Sequence, residues 1–256
     1  MRSFNIVTLP GDGVGPEVIE QVTRVLQALG VHFGLQFEVE AIPCGGHYYA
    51  KHQTEWPAGS FEKCRAADAI LLGAVGHVEN GKTVFTEPGK PYAQPQLAGF
   101  AQVIGNRQKL DLYANVRLIK LYAGVPQKIS GTFQKVWDPK NVDYVVVREN
   151  TEDAYSGETF DIPDGKQSAI TITRKATQRV VRFACRLALR RQRKVTCVDK
   201  SNIIGAHAFF REIFTQVGRD EFPDIELDYA YFDAFCLLQL QQPEAYDVVV
   251  APNLGT

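Results

Sequence analysis

Short apolar runs alternate with amphipathic stretches along the whole chain, and that alternation limits the folds open to it. Phe4 to Leu9 reads as a buried strand, Pro10-Gly11-Asp12-Gly13-Val14-Gly15-Pro16 as a turn, and Glu17 to Leu29 as an amphipathic helix with Pro16 near its start. Phe37 to Ile42 is a second strand, Trp56-Pro57 through Ala66 a short helix, and Ala69 to Leu72 a third strand ending in Gly73-Ala74-Val75-Gly76. This strand, turn, helix, strand order predicts an α/β fold with a mainly parallel, doubly wound sheet. Residues His77 to Gln96 are rich in Gly, Pro and polar groups and read as a long functional loop.

The alternation resumes with a helix at Leu97 to Lys109 and strands at Leu112 to Leu118 and Asp143 to Arg148. Ala169 to Arg174 alternates as a strand, and Thr177 to Arg193 is a helix with Val180, Val181, Ala184, Leu187 and Ala188 on one face. Its arginine-rich back reads as a solvated face. Then come a strand at Lys194 to Val198, a helix at Gly205 to Val217, a strand at Leu227 to Phe232, a short helix at Ala234 to Gln241 and a strand at Asp247 to Ala251.

At 256 residues the chain is long enough for one large or two modest domains. A net charge of -1 supplies no global basic field for nucleic acid or anionic membrane. No apolar run approaches the roughly 20 residues needed to span a bilayer, and the N-terminus enters a strand without a signal-peptide core. Cys44, Cys64, Cys185, Cys197 and Cys236 are scattered, odd in number and without a Cys-x-x-Cys pair. They are expected to be reduced residues filling core space in a cytoplasmic protein.

The richest stretch is Val145-Val146-Val147-Arg148-Glu149-Asn150-Thr151-Glu152-Asp153-Ala154-Tyr155. Three β-branched residues make a buried strand. A cation, acids and a phenol follow where that strand should emerge, the usual place of ligand sites in open α/β sheets. Arg148 can grip a carboxylate through a bidentate fork, and Tyr155 can exchange a proton. The bland alternative is a surface arginine paired with Glu149 or Glu152. Arg107, Arg117 and Lys200 also lie at strand ends or helix faces. Such a cluster is costly to assemble without an anion, so it suggests a substrate with two carboxylates. Separate surface ion pairs are again the alternative. Lys200 closes the strand ending Val198-Asp199, and Asp233 follows Tyr231-Phe232 at another strand end. The lysine suits a general base, and the aspartate could orient it, bind a metal or simply cap a helix. The glycine turn at 11–15 has neither the G-x-G-x-x-G dinucleotide spacing nor the Lys-Ser/Thr of a phosphate loop.

Together these segments resemble the β-decarboxylating dehydrogenases, the isocitrate, 3-isopropylmalate, homoisocitrate and tartrate dehydrogenases. The resemblance rests on Leu9 to Val18, Leu71 to Gly76, Arg107 with Leu110 to Arg117, Arg148 to Gly157 and Val198 to Asn202, five motifs in order along the chain. It implies a two-domain isopropylmalate-dehydrogenase-like fold with its C-terminal portion missing. Residues 1–96 and 243–256 would form an incomplete cofactor-side domain, and residues 97–242 a substrate and dimerisation domain. Arg107, Arg117 and Arg148 would clamp the malate carboxylates, Tyr155 would act as acid, and Lys200 and Asp233 would serve the opposite subunit of a homodimer with shared sites. Residues 158–173 would clasp that subunit. Asn202, Val14 and Gly76 would lie on the side of a NAD or NADP cofactor, and Asp233 would be a ligand of Mg2+ or Mn2+. Val103 and Ile104 are apolar where isocitrate enzymes are polar, which suits an alkyl-malate, although both could be plain helix core.

The sequence also departs from the family pattern. Asn253-Leu254-Gly255-Thr256 lacks the expected aromatic before Gly255 and has Thr256 where an aspartate is expected, and the aspartates that complete the metal site are absent from these residues. The implied function is oxidative decarboxylation of a 2-hydroxy diacid resembling 3-isopropylmalate. The alternatives are a non-catalytic or regulatory homologue, an inactive fragment that keeps the anion site, or an isocitrate or tartrate dehydrogenase.

Overall fold

A computed structural model describes residues 2–89, 92, 94–129, 131–134 and 136–254, without side-chain detail at 127–129, 133 and 134. The expectations placed on Gly255 and Thr256 lie outside the described residues. The chain divides into two compact units, Met1–Asp111 and Leu112–Thr256.

The first unit is built on a three-stranded parallel sheet of order β2-β1-β3, from β1 (Arg2–Leu9), β2 (Leu35–Ala41) and β3 (Ala69–Leu72). Helix α1 (Gly15–Phe33) joins β1 to β2. It opens on Pro16, and Gly34 closes it in the left-handed region at φ 66°. Helices α2 (Gly46–His52) and α3 (Ser60–Ala66) precede β3. The sequence reading missed α2, whose glycine start and polar residues carry little apolar periodicity. Val7, Leu9, Ile42, Cys44 and Cys64 form the small core. Strands β4 (Val78–Glu79) and β5 (Lys82–Thr83) make a minimal hairpin within the predicted loop. The expected helix from Leu97 begins later and in two parts: a π-helical turn at Ala101–Gly105 runs into α4 (Asn106–Lys109).

The second unit holds a five-stranded sheet of order β13-β12-β14-β9-β6, formed by β6 (Ala114–Lys120), β9 (Asp143–Glu149), β12 (Lys194–Asp199), β13 (Glu226–Tyr231) and β14 (Val248–Ala251). All pairings are parallel except β6 with β9. The hairpin β7 (Gln127–Ile129) and β8 (Thr132–Gln134) precedes β9, and β10 (Thr159–Ile162) with β11 (Gly165–Ser168) follows it. The valine and cysteine runs alternate in the buried strands as sheet geometry requires. Val145, Val147, Val195, Cys197, Val248 and Val250 face helices α5 (Arg174–Ala188) and α6 (Gly205–Glu221). Val146, Val198, Val249 and Ala251 face α7 (Phe232–Gln241). Helices on both faces make this sheet doubly wound, as the alternation predicted.

Four expectations need correction. Val248–Ala251 pairs with β12 on one side and β9 on the other, so it belongs to the second unit rather than to the N-terminal strands. The stretch 97–111 falls in the first unit, because the π-helical turn is bonded to Glu55 there. Ala169 to Arg174 is not a strand: Thr173 caps α5 by accepting from the Ala176 N–H, and the hairpin lies just upstream. Of the five cysteines, four are buried free thiols and Cys236 is exposed, so that one does not fill core space. Burial pushes the Cys185 thiol up to about 12 and Cys44 up to about 11. Among the described residues no helix is long and apolar enough to cross a membrane.

Candidate active site

In the first unit the glycine turn is a packed crossing. The Asp12 amide donates to the Ala74 carbonyl at 2.7 Å. The buried Asp12 carboxylate accepts three backbone N–H groups, from Gly46, His47 and Gly76, each at 2.8 Å. It therefore ties the turn after β1 to the start of α2 and to the segment after β3. The glycines follow from this closeness. A Cβ on Gly11 would lie 2.1 Å from the Ala74 oxygen, and one on Gly15 would lie 2.1 Å from the Pro10 oxygen. Val14 is left 56% exposed and Gly76 is exposed beside it, so both stand at the surface.

Glu55 performs a second tie that the sequence reading missed. Its buried carboxylate accepts the Gly99 and Ala101 amides at 2.8 and 3.0 Å and the Tyr92 hydroxyl at 2.7 Å. It thereby anchors the π-helical turn that leads to Arg107. Val103 and Ile104 sit half-buried on that turn, and Arg107 sits half-buried on α4. Wide turns of this type often mark functional positions.

In the second unit the sheet itself brings residues together. Asn115 lies opposite Arg148 and Arg117 opposite Val146 in the antiparallel β6–β9 register. Opposed residues share a face, as do residues two apart, so Arg117 and Arg148 lie on one face as diagonal neighbours, about 7–8 Å apart. Arg148 is only 6% exposed. Its Nε donates to the Asn253 carbonyl at 2.7 Å, and its guanidinium lies 5.1 Å from the Tyr155 ring centroid. Tyr155 is half-exposed, with its ring held by the cation and its hydroxyl free of any partner among the described residues. Glu149, buried behind Arg148, does not pair with it. Instead it accepts from the Thr151 amide and hydroxyl and from the Glu152 amide, folding the chain sharply at the strand end. The surface-pair alternative for Arg148 therefore fails.

Lys200 follows β12, whose Val195–Cys197 pairs with β14, which in turn pairs with β9. The Arg148 and Lys200 strand ends are thus two strand spacings apart, roughly 10 Å. Lys200 Nζ is ion-paired with Asp233, in the first turn of α7. Asn202 is exposed on the turn after Lys200. Tyr155, Arg148, Lys200 and Asp233 thus gather at the carboxyl edge of one sheet.

Beneath them lies a buried network that the sequence reading did not single out. His207 Nδ1 accepts the Lys200 backbone N–H at 3.1 Å, while its Nε2 faces the Asp153 carboxylate at 3.6 Å. Asp153 accepts the Leu254 amide at 2.8 Å, and Asn253 donates to the Glu152 carbonyl at 2.9 Å. Burial pushes the Asp153 carboxyl up, but His207 and the Leu254 and Ala154 amides outweigh it and hold it below the usual carboxylate range. The available signal was a histidine in the first turn of the helix that follows a strand-end lysine.

Among the described residues no group of three or more His, Cys, Asp or Glu side chains could hold a metal ion. Asp233 offers one carboxylate, already engaged by Lys200. The described residues therefore do not assemble a divalent-cation site.

The isocitrate/isopropylmalate dehydrogenase family profile matches residues 5–255. The chain belongs to the isocitrate/isopropylmalate dehydrogenase family. It is 36% identical over 256 residues to a 3-isopropylmalate dehydrogenase of Carboxydothermus hydrogenoformans, covering 98% of this chain and 65% of that relative. It is 34% identical over 259 residues to a 3-isopropylmalate dehydrogenase of Aquifex aeolicus, covering 99% of this chain and 67% of that relative. The chain thus spans about two thirds of the length of the curated relatives it matches. Among solved structures, the isocitrate dehydrogenase of Methylococcus capsulatus superposes with a TM-score of 0.77 at 28% identity, covering 100% of this chain and 68% of that one. A β-decarboxylating dehydrogenase of Thermococcus kodakarensis in its apo form superposes at 0.69 and 28% identity, covering 98% of this chain and 65% of that one. This family membership accounts for the order of the motifs along both units.

Proposed function

We propose that the chain carries the substrate-side machinery of a β-decarboxylating dehydrogenase for a 2-hydroxy diacid resembling 3-isopropylmalate, with NAD or NADP as hydride acceptor. The observation that carries this reading is the pair Arg117 and Arg148 on one sheet face, with Tyr155 against the Arg148 guanidinium. Two forked cations at that spacing suit two carboxylates of one small molecule. The family resemblance, not geometry, adds Arg107 to this reading as a third cation.

In the same reading Tyr155 delivers a proton at the site edge, and Lys200 accepts one from the substrate hydroxyl once Asp233 exchanges its partner. Bound nicotinamide would supply the hydride acceptor, and the family resemblance assigns Val14, Gly76 and Asn202 to its side. Val103 and Ile104 would present an apolar wall to an alkyl group. The family reaction also calls for Mg2+ or Mn2+, whose remaining donors would have to join Asp233. A homodimer with shared sites, in the cytoplasm, completes the proposal. Its support is the fully exposed hairpin at 159–168, with Phe160 and Ile162 about half in solvent, and the exposed Leu237 and Leu240 on α7.

The pairing of Lys200 with Asp233 within one chain gives a second reading some weight. Here the chain would be an anion-binding homologue that does not turn over. Calorimetric titration with 3-isopropylmalate, isocitrate and tartrate, followed by cofactor-reduction assays with Mn2+ and either NAD+ or NADP+, separates the two. Turnover of 3-isopropylmalate supports the enzyme, saturable binding without turnover supports the second reading, and no binding of any diacid defeats both.

A further inference from the structure

Arg211, on α6, reaches the ends of two neighbouring strands that lead into proposed site residues. Its Nε donates to the Asp199 carboxylate at 2.7 Å, at the end of β12, and its Nη2 donates to the Ala230 carbonyl at 3.3 Å, near the end of β13. Its guanidinium also lies 4.9 Å from the Tyr231 ring centroid and 5.5 Å from that of Tyr229. These contacts follow from the strand register. Asp199 lies opposite Tyr231 and Cys197 opposite Tyr229 in the parallel β12–β13 pairing, so these side chains share the sheet face that α6 covers.

Two features give this brace its importance. Asp199 is fully buried, and its other oxygen accepts the Ser201 N–H at 2.8 Å. That bond closes a turn around Lys200, the residue between them. A buried carboxylate is costly without a cation beside it, so the turn around Lys200 depends on Arg211. β13, for its part, is the outermost strand, paired only with β12 among the described residues. Asp233 stands two residues beyond Tyr231, where that strand ends. Arg211 is thus bonded to the residue before Lys200 and packed on the residue two before Asp233.

We propose that Arg211 is a positioning residue that sets Lys200 and Asp233 against one another. The proposal rests on the functional reading above for what that pair does. Lys200 and Asp233 follow adjacent strands of one chain, so one brace carries both to the same site, including the opposite subunit's site in a homodimer that shares them. The Arg117 and Arg148 clamp lies on β6 and β9, across β14 from the brace. Loss of Arg211 should therefore reduce turnover more than diacid binding. A lysine at this position keeps the charge but has neither the fork nor the planar face, so it cannot meet Asp199, Ala230 and Tyr231 together.

Zero-length carbodiimide coupling reads this placement without turnover, because it joins an amine to a carboxylate only where the two meet. Peptide mass spectrometry of the full chain should find Lys200 joined to Asp233. It should also find Lys194 joined to Glu226, whose charged groups lie 3.3 Å apart at the other end of the same two strands. Arg211→Lys should lower the ratio of the first product to the second at least about fivefold, whereas a general loosening of the fold lowers both alike. Asp199→Asn keeps an acceptor for Ser201 and leaves Arg211 to solvent. It is the milder variant should Arg211→Lys not fold, and it should lower the ratio at least about twofold. With 3-isopropylmalate, Arg211→Lys should lower kcat at least about tenfold with KM changed less than about threefold. A parent chain without the Lys200–Asp233 product, a folded variant with an unchanged ratio, or an unchanged kcat beside an active parent overturns the proposal. A parent chain that gives the expected products and ratios but turns over no diacid overturns the enzyme reading alone and leaves the brace intact.

Discussion

Arg148 lies against the Tyr155 ring with its guanidinium and donates its Nε to the Asn253 carbonyl, so one buried arginine joins two strand ends. Replacing it with lysine keeps the charge but loses the planar face and the paired donors. Arg148→Lys should weaken binding of 3-isopropylmalate by about 1–3 kcal/mol, measured by calorimetry. Unchanged affinity would place the diacid elsewhere.

The Lys200–Asp233 pair is exposed enough to add little to stability. Asp233 is 68% exposed at its side chain, and such pairs contribute at most about 1 kcal/mol. Asp233→Asn should shift the urea midpoint little and, under the proposed function, lower turnover of 3-isopropylmalate. A large loss of stability would recast the pair as structural.

Acid should destabilise the second unit through its depressed carboxylates. The Asp153 carboxyl is held below its ordinary value by His207 and two amides, against burial. A depressed carboxylate contributes stability that is fully present above its unfolded value of about 3.9 and is lost as pH falls through the lower folded value. Asp143, lowered by its bonds to Arg191 and Lys120, acts in the same direction, but it is more exposed and more easily screened by salt. Circular dichroism from pH 6 to 2 should show the loss below about pH 4, with a shallower slope in Asp153→Asn.

The two glycines of the first turn should separate conformational cost from collision. Gly13 has φ 54° but nothing within 4 Å of an added Cβ, so Gly13→Ala should cost about 1–2 kcal/mol. Gly11 has φ 71° and the Ala74 oxygen 2.1 Å from that Cβ, so Gly11→Ala should cost more than about 3 kcal/mol. Equal thermal shifts in the two variants would mean that the crossing relaxes freely.

The elements were legible where one period dominates. The valine run gave β9, the apolar stripe gave α5, and Arg148 followed from its position at a strand end. Motifs read along the chain identified the family. What escaped depended on contacts between distant residues. Nothing local to Val248–Ala251 says that its neighbours are β9 and β12. Asp12, Glu55 and Asp153 look like ordinary turn acids until the amides they accept, 34 to 101 residues away, are known. His207 shows no periodic signal, because its role is to bond a backbone group.

The place of β14 carries a consequence for assembly. The strands on either side of it, β9 and β12, are made first and are not partners of one another. Until Val248–Ala251 arrives, each offers an open, valine-rich edge, the kind of surface on which chains add to one another. Closing the gap takes pairings across roughly a hundred residues for β9 and fifty for β12, and such long-range pairings form slowly. The same insertion carries Asn253 and Leu254 to Arg148 and Asp153. The contacts of Arg148 and Asp153 therefore take shape together, in the step that closes the sheet.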